Sequence, residues 1–120
     1  MVNEYRFGSI IIDGKNYQHD VEVRWLGEVL QWRREESHLI DVEDIKRSTE
    51  QNPETMIIGT GEAGVAQVTG NARKFIQEKG IKLIIDKTGE AVKTFNTILK
   101  ESELEKGEQG KVIGLFHLTC

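Results

Sequence analysis

The chain has 120 residues, with 16 lysines and arginines against 20 aspartates and glutamates, a formal net charge of −4. That length suits one domain, and the acidic balance argues against a nucleic-acid partner. A single cysteine excludes an internal disulfide framework and a cysteine-built zinc site, and the longest apolar runs, Ile10-Ile11-Ile12 and Leu83-Ile84-Ile85, are too short to span a bilayer.

The first residues contain Glu4, Tyr5 and Arg6, with no apolar signal region and no Arg/Ser-rich transit character. Val2 breaks the myristoylation pattern, and Cys120 stands in the wrong place for a prenylation box. The expectation is a cytoplasmic protein with no membrane partner.

The first third reads as extended. Arms over Arg6 to Ile12 and Lys15 to Arg24 flank Asp13-Gly14, a dipeptide suited to the positive φ angles of a type I′ hairpin turn. In the second arm Tyr17, His19, Val21 and Val23 share one pleat face; Gln18, Asp20, Glu22 and Arg24 share the other, which is expected to be wet. A further strand is expected over Glu28 to Arg33, reached through Gly27.

Beyond residue 40 helix and strand alternate. Asp41, with Asp44 three residues later, caps a first helix that ends at Asn52-Pro53. Thr55 to Ile58 reads as a buried strand, and Asn71 as the cap of a second helix closed by Gly80. Ile81 to Ile85 is the next strand. Thr88 caps a third helix with Ala91, Val92, Phe95, Ile98 and Leu99 at helical spacing, and Glu101 to Gly110 reads as a solvated loop. The closing strand, Lys111 to Leu118, is apolar on both faces and is expected to be central. Together these elements predict a single α/β domain over 1–120: three layers, a mixed central sheet, about three helices and an additional N-terminal antiparallel β layer.

Gly59-Thr60-Gly61-Glu62-Ala63-Gly64 matches G-x-G-x-x-G after a strand, and Asp86 lies 22 residues beyond Gly64, where a ribose-binding acid would sit. A dinucleotide fingerprint requires the glycine turn to open a helix at once. Here residues 65–70 intervene, with Val65, Val68 and Gly70, so an extended stretch is predicted instead. Two readings stay open: a turn whose N–H groups face an anion, or glycines that merely permit positive φ and close packing.

His19, His38 and His117 lie on separate elements without metal-ligand spacing, so neither metal nor cofactor is expected. Cys120 follows His117 by three residues, and in an extended strand such residues point to opposite faces, which disfavours a Cys–His pair. The acid pairs Asp41/Asp44 and Glu101/Glu103 are explained by capping and solvation. Arg24-Trp25 through Trp32-Arg33-Arg34-Glu35 interleaves aromatics with arginines, residue types favoured at protein interfaces. The competing reading packs the tryptophans inward and pairs the arginines with Glu28, Glu35 and Glu36.

Arg6-Phe7-Gly8, Trp32-Arg33-Arg34-Glu35, Gly59-Thr60-Gly61, Thr88-Gly89-Glu90-Ala91-Val92 with Phe95-Asn96, and His117-Leu118-Thr119-Cys120 occur in an order that resembles one small family of largely uncharacterised archaeal and bacterial proteins. Its eukaryotic relatives include the adipogenesis-associated domain protein and mitochondrial complex I assembly factor 3. The resemblance covers nearly the whole chain and implies a three-layer α/β fold and an assembly or adaptor role. It supplies no reaction, cofactor or catalytic set, and the mitochondrial role does not transfer without a presequence.

The leading expectation is therefore a non-enzymatic domain that binds another protein through Trp25 and Trp32, with self-association among its expected modes. The alternative is a small anionic-ligand (phosphate- or nucleotide-like) binding protein or enzyme using Gly59, Thr60, Gly61 and Gly64, with Arg33 or Arg34 as charge partner and Asn96 or His117 as polar groups.

Overall fold

The computed structural model describes residues 1–34, 36, 38–106 and 110–120. Three strands come first, β1 (Val2–Arg6), β2 (Ser9–Ile12) and β3 (Lys15–Tyr17), and form an antiparallel sheet in that order. Asp13 and Gly14 turn the second hairpin at φ 49° and 83°, the double positive φ of a type I′ turn. The expected arm 6–12 is itself divided by a turn at Phe7-Gly8, where Gly8 sits at φ 83°.

The arm 15–24 is divided as well. Tyr17 ends the small sheet, residues 18–20 cross over, and β4 (Val21–Arg24) enters a second sheet beside β5 (Val29–Gln31). After β6 (Leu39–Ile40) comes α1 (Val42–Thr49), started by a capping box in which Asp41 and Asp44 satisfy each other's end of the first turn. Asn52, at φ 53°, turns the chain into Pro53. β7 (Thr55–Thr60) and β8 (Gln67–Val68) precede α2 (Gly70–Glu78), which is capped by Thr69 through its hydroxyl and the Ala72 N–H, two residues ahead of the expected Asn71. β8 pairs in parallel with β6, so the stretch after the glycine turn is extended, as the sequence predicts.

β9 (Lys82–Asp86), α3 (Thr88–Lys106) and β10 (Val112–His117) complete the chain order. Residues 101–106, expected in a loop, continue α3, because Glu101-Ser102-Glu103-Leu104-Glu105-Lys106 is rich in helix formers and holds no breaker. The rest of that expected loop, 107–109, lies outside the described residues. The main sheet runs β5-β4-β10-β7-β9, with β10 parallel to β7, β7 parallel to β9, and β4 antiparallel to its two neighbours. The closing strand is thus central.

Strand alternation divides the core. Val21, Val23, Ile57, Val112 and Phe116 face α3 and the small sheet, meeting Phe95, Ile10 and Ile12. Met56, Ile58, Ile113 and Leu115 face α1 and α2, meeting Ile45 and Ile76. The fold is the expected mixed α/β domain, with three helices among the described residues and an additional antiparallel sheet. One expectation fails: the Asp20/Glu22/Arg24 face of β4 is not wet. Glu22 is 1% exposed and held by Arg24 and Arg47, because β4 lies inside the sheet with α1 packed over that face.

Candidate functional site

The parallel strands β7, β9 and β10 end on one side of the sheet, the side where α/β sheets gather ligands. β4 runs the other way, so Asp20, just before it, arrives there too. Arg34, just beyond β5, completes the group. Asp20 Oδ2 accepts from Arg34 Nη2 at 2.8 Å and from His117 Nδ1 at 2.7 Å, and its Oδ1 accepts from the Leu118 backbone N–H at 2.8 Å. The Arg34 and His117 side chains are each 5% exposed. Arg34 Nη2 lies only 2.6 Å from His117 Nδ1. Asp20, Arg34 and His117 thus form one mutually bonded cluster. Burial alone would push the Asp20 carboxyl up and is the largest single influence. The bonds from His117, Arg34 and Leu118 together outweigh it and hold the group below the usual carboxylate value.

The glycine turn abuts this cluster. Gly61 donates its N–H to Thr88 Oγ1 at 2.8 Å, Thr88 donates its hydroxyl to the His117 carbonyl at 2.6 Å, and the Thr88 N–H returns to the Gly61 carbonyl. Thr88 therefore ties three strand ends together instead of capping α3. The N–H groups of Glu62 and Gly64 are also spent inside the chain, on Thr119 and Gly61. Gly61 has φ 104°, and a Cβ there would stand 2.5 Å from the Cys120 carbonyl oxygen; a Cβ at Gly59 would meet Thr88 Oγ1 at 2.8 Å. The turn is closely packed, and these three N–H groups bond within the chain. Tyr5 closes the rim, donating to the Leu118 carbonyl at 3.2 Å and to Glu62 Oε2 at 3.3 Å. Burial first, then the neighbouring Glu62 carboxylate, pushes its phenol up to about 12.

The structure brings Arg34, His117, Gly59, Thr60, Gly61 and Gly64 to this one end and leaves the other candidates elsewhere. Arg33 lines an open groove of about 490 Å³ between β5 and α1, shared with Val29, Gln31, Asp44 and Arg47. Asn96, on α3, is a backbone clamp: its side-chain oxygen accepts from the Val2 N–H at 2.9 Å and its NH2 donates to the Val2 carbonyl at 2.8 Å, docking β1 on the helix. Trp32 is corrected from a contact residue to a core residue. It is 3% exposed, its indole donates to the Asp44 carbonyl at 2.8 Å, and the Arg34 guanidinium lies 5.0 Å from its ring. Trp25 remains half-buried in the turn between β4 and β5, beside Leu26, which is 81% exposed. Of the expected arginine partners, Glu28 takes Arg24 at 2.8 Å, Glu36 offers its carbonyl to Arg34, and Glu35 lies outside the described residues. Cys120 is exposed, and no group of metal-ligating side chains forms among the described residues.

Sequence reading missed Asp20, the acceptor at the centre of the cluster. Its partners lie 14 and 97 residues away, so no local spacing marks it. The available signal was the run Asp20, Glu22, Arg24 on one pleat face, a charge pattern that an interior strand can carry only if each member is paired.

A family model described as protein of unknown function (DUF498/DUF598) matches residues 2–106. The chain belongs to that family. This DUF498 chain is similar to the solved structure named MT938, with 28% identity, 100% of this chain and 98% of that one covered, and a TM-score of 0.78. It shares its fold with the conserved hypothetical protein PH1505 from Pyrococcus horikoshii OT3, with 24% identity, 100% and 99% coverage and a TM-score of 0.79. It shares it also with an outer membrane protein from Bartonella henselae, with 22% identity, 99% and 94% coverage and a TM-score of 0.80. In this DUF498 chain no helix among the described residues is long and apolar enough to cross a membrane.

Proposed function

We propose that this DUF498 protein is a binding module for another polypeptide, with the β4–β5 hairpin tip as its contact. The observation that carries this reading is Leu26, 81% exposed beside a hollow of about 140 Å³ whose walls include Met1, Val23, Trp25, Phe95 and Leu99. A volume of about 150 Å³ matches one benzene-sized group, so in size the hollow suits one side chain, whose apolar body would meet Val23, Trp25 and Leu99 with Asp13 and Arg24 at its edge. Asp13 and Arg24 also line the hollow, with Asp13 paired at 2.8 Å to the Met1 ammonium, so the basis for a partner carrying a basic residue beside its apolar anchor is the net charge of −4. The resemblance to the adipogenesis-associated domain protein and complex I assembly factor 3 supports the same assembly or adaptor role.

The test is peptide display on the immobilised protein. Enriched sequences should pair a large apolar residue with Lys or Arg, and should lose binding to Leu26→Asp while retaining it on Phe7→Asp, a substitution at another exposed apolar turn residue. Absence of enrichment, or peptides indifferent to Leu26→Asp, would remove the reading.

A second reading, an anionic-ligand site, draws on the convergence of Arg34 and His117 beside the glycine turn. Thermal shifts with millimolar phosphate, nucleotides and acyl-coenzyme A test it: a rise in Tm that Arg34→Gln abolishes would favour it, and unchanged melting would dismiss it.

A further inference from the structure

β9 is an edge of the main sheet among the described residues. Natural edges are protected by lysines, prolines, bulges or a covering element. Here Leu83, Ile84 and Ile85, all half-buried, occupy the middle, and charge appears only at the two ends, in Lys82 and Asp86. The Lys82 N–H donates to the Glu54 carbonyl at 3.0 Å. Because strand backbones alternate, Lys82, Ile84 and Asp86 direct their peptide groups toward β7, and Leu83 and Ile85 direct theirs to the open edge.

We propose that β9 pairs antiparallel with β9 of a second copy about a two-fold axis at Ile84, joining two five-stranded sheets into one. Such an axis places Leu83 opposite Ile85 of the partner, so that the outward peptide groups of both meet in hydrogen-bonded pairs on each side of it. The same register places Lys82 opposite Asp86 of the partner subunit, twice, on the pleat face that also carries Ile84. Centring the axis on Leu83 or on Ile85 would also match outward groups, but would set Lys82 or Asp86 against Ile84 of the other copy. Charge complementarity thus selects one register, and the strand read as Lys-Leu-Ile-Ile-Asp is complementary to itself in reverse. Among the described residues neither Lys82 nor Asp86 forms an ion pair within its own chain, and both are exposed; Asp86 Oδ1 accepts from the Lys87 N–H at 2.8 Å. An isologous contact of this kind closes at two subunits and leaves the Leu26 hairpin, on the opposite edge of the sheet, accessible.

The experiment is sedimentation velocity over micromolar to millimolar protein, with amide exchange at Leu83 and Ile85. The intact chain should pass from monomer to dimer, and protection at those two amides should rise with concentration. Lys82→Glu and Asp86→Lys each turn both cross-strand pairs into like charges and should weaken self-association by about tenfold or more. An equimolar mixture of the two variants restores opposite charges in every pair and should dimerise at least as well as the intact chain. Circular dichroism of each variant confirms that the exposed substitutions leave the fold intact. A chain that stays monomeric at millimolar concentration would overturn the proposal. So would a dimer indifferent to both charge variants, or one abolished only by Leu26→Asp.

Discussion

The two ends of β4 handle their side chains in opposite ways. At its start Asp20 draws Arg34, His117 and the Leu118 N–H into a small, nearly dry cluster. At its finish Arg24 is absorbed by Glu22 and Glu28, and the chain then turns through Trp25 and Leu26 into solvent. The first end holds the residue types that catalysis uses, yet the bonds that would serve a ligand are already made. The second holds no reactive group at all, but has an apolar side chain that nothing in the chain covers. Residue type alone draws attention to the first end; the partners that each group already has draw it to the second as well.

The sharpest way to break that contrast is Asp20→Ala. It leaves Arg34 beside a buried histidine without their common acceptor and should cost about 3–5 kcal/mol of stability, as removal of one partner from a buried pair does; urea unfolding reads the loss directly. Acid should act on the same group. The folded Asp20 carboxyl titrates below its unfolded value, so its contribution is complete above the unfolded value of about 3.9 and disappears as pH falls through the lower folded one. Asp20→Asn should therefore unfold more easily than the intact chain at neutral pH, with the gap closing below about pH 4 in stability profiles of both.

Asn96→Ala should cost about 1–3 kcal/mol, because the Val2 N–H and carbonyl lose their partners. Amide exchange should localise the effect to β1 and β2 and leave the Asp20 cluster protected. At the far end of β4, Leu26→Asp should change stability by no more than about 0.5 kcal/mol in the same unfolding assay, since the side chain is 81% exposed. A larger loss would mean that Leu26 belongs to the core after all.

How far the sequence discloses the fold follows the range of each interaction. The Asp41–Asp44 box, the Asp13-Gly14 turn and Gly80 at φ 75° are set within a few residues and can be read directly. The central place of β10 is legible because an interior strand must be apolar on both faces. The end of α3 is not, since its last turns are polar and extend past the core. Asp20 and Trp32 were misjudged for a related reason: whether a strand face is wet depends on which distant helix or loop covers it, here α1 and the segment through Arg34. The extended path after the glycine turn was legible from Val65, Val68 and Gly70, residues that resist starting a helix.

Among the described residues β10 comes after every other strand in chain order and lies in the middle of the main sheet. Until residues 112–117 have left the ribosome, the β4–β5 pair and the β7–β9 pair have no common neighbour, and each exposes an apolar edge intended for the same late arrival. Nascent chains of this protein must therefore wait with two half-sheets open, which makes elongation the period when a chaperone has most to protect.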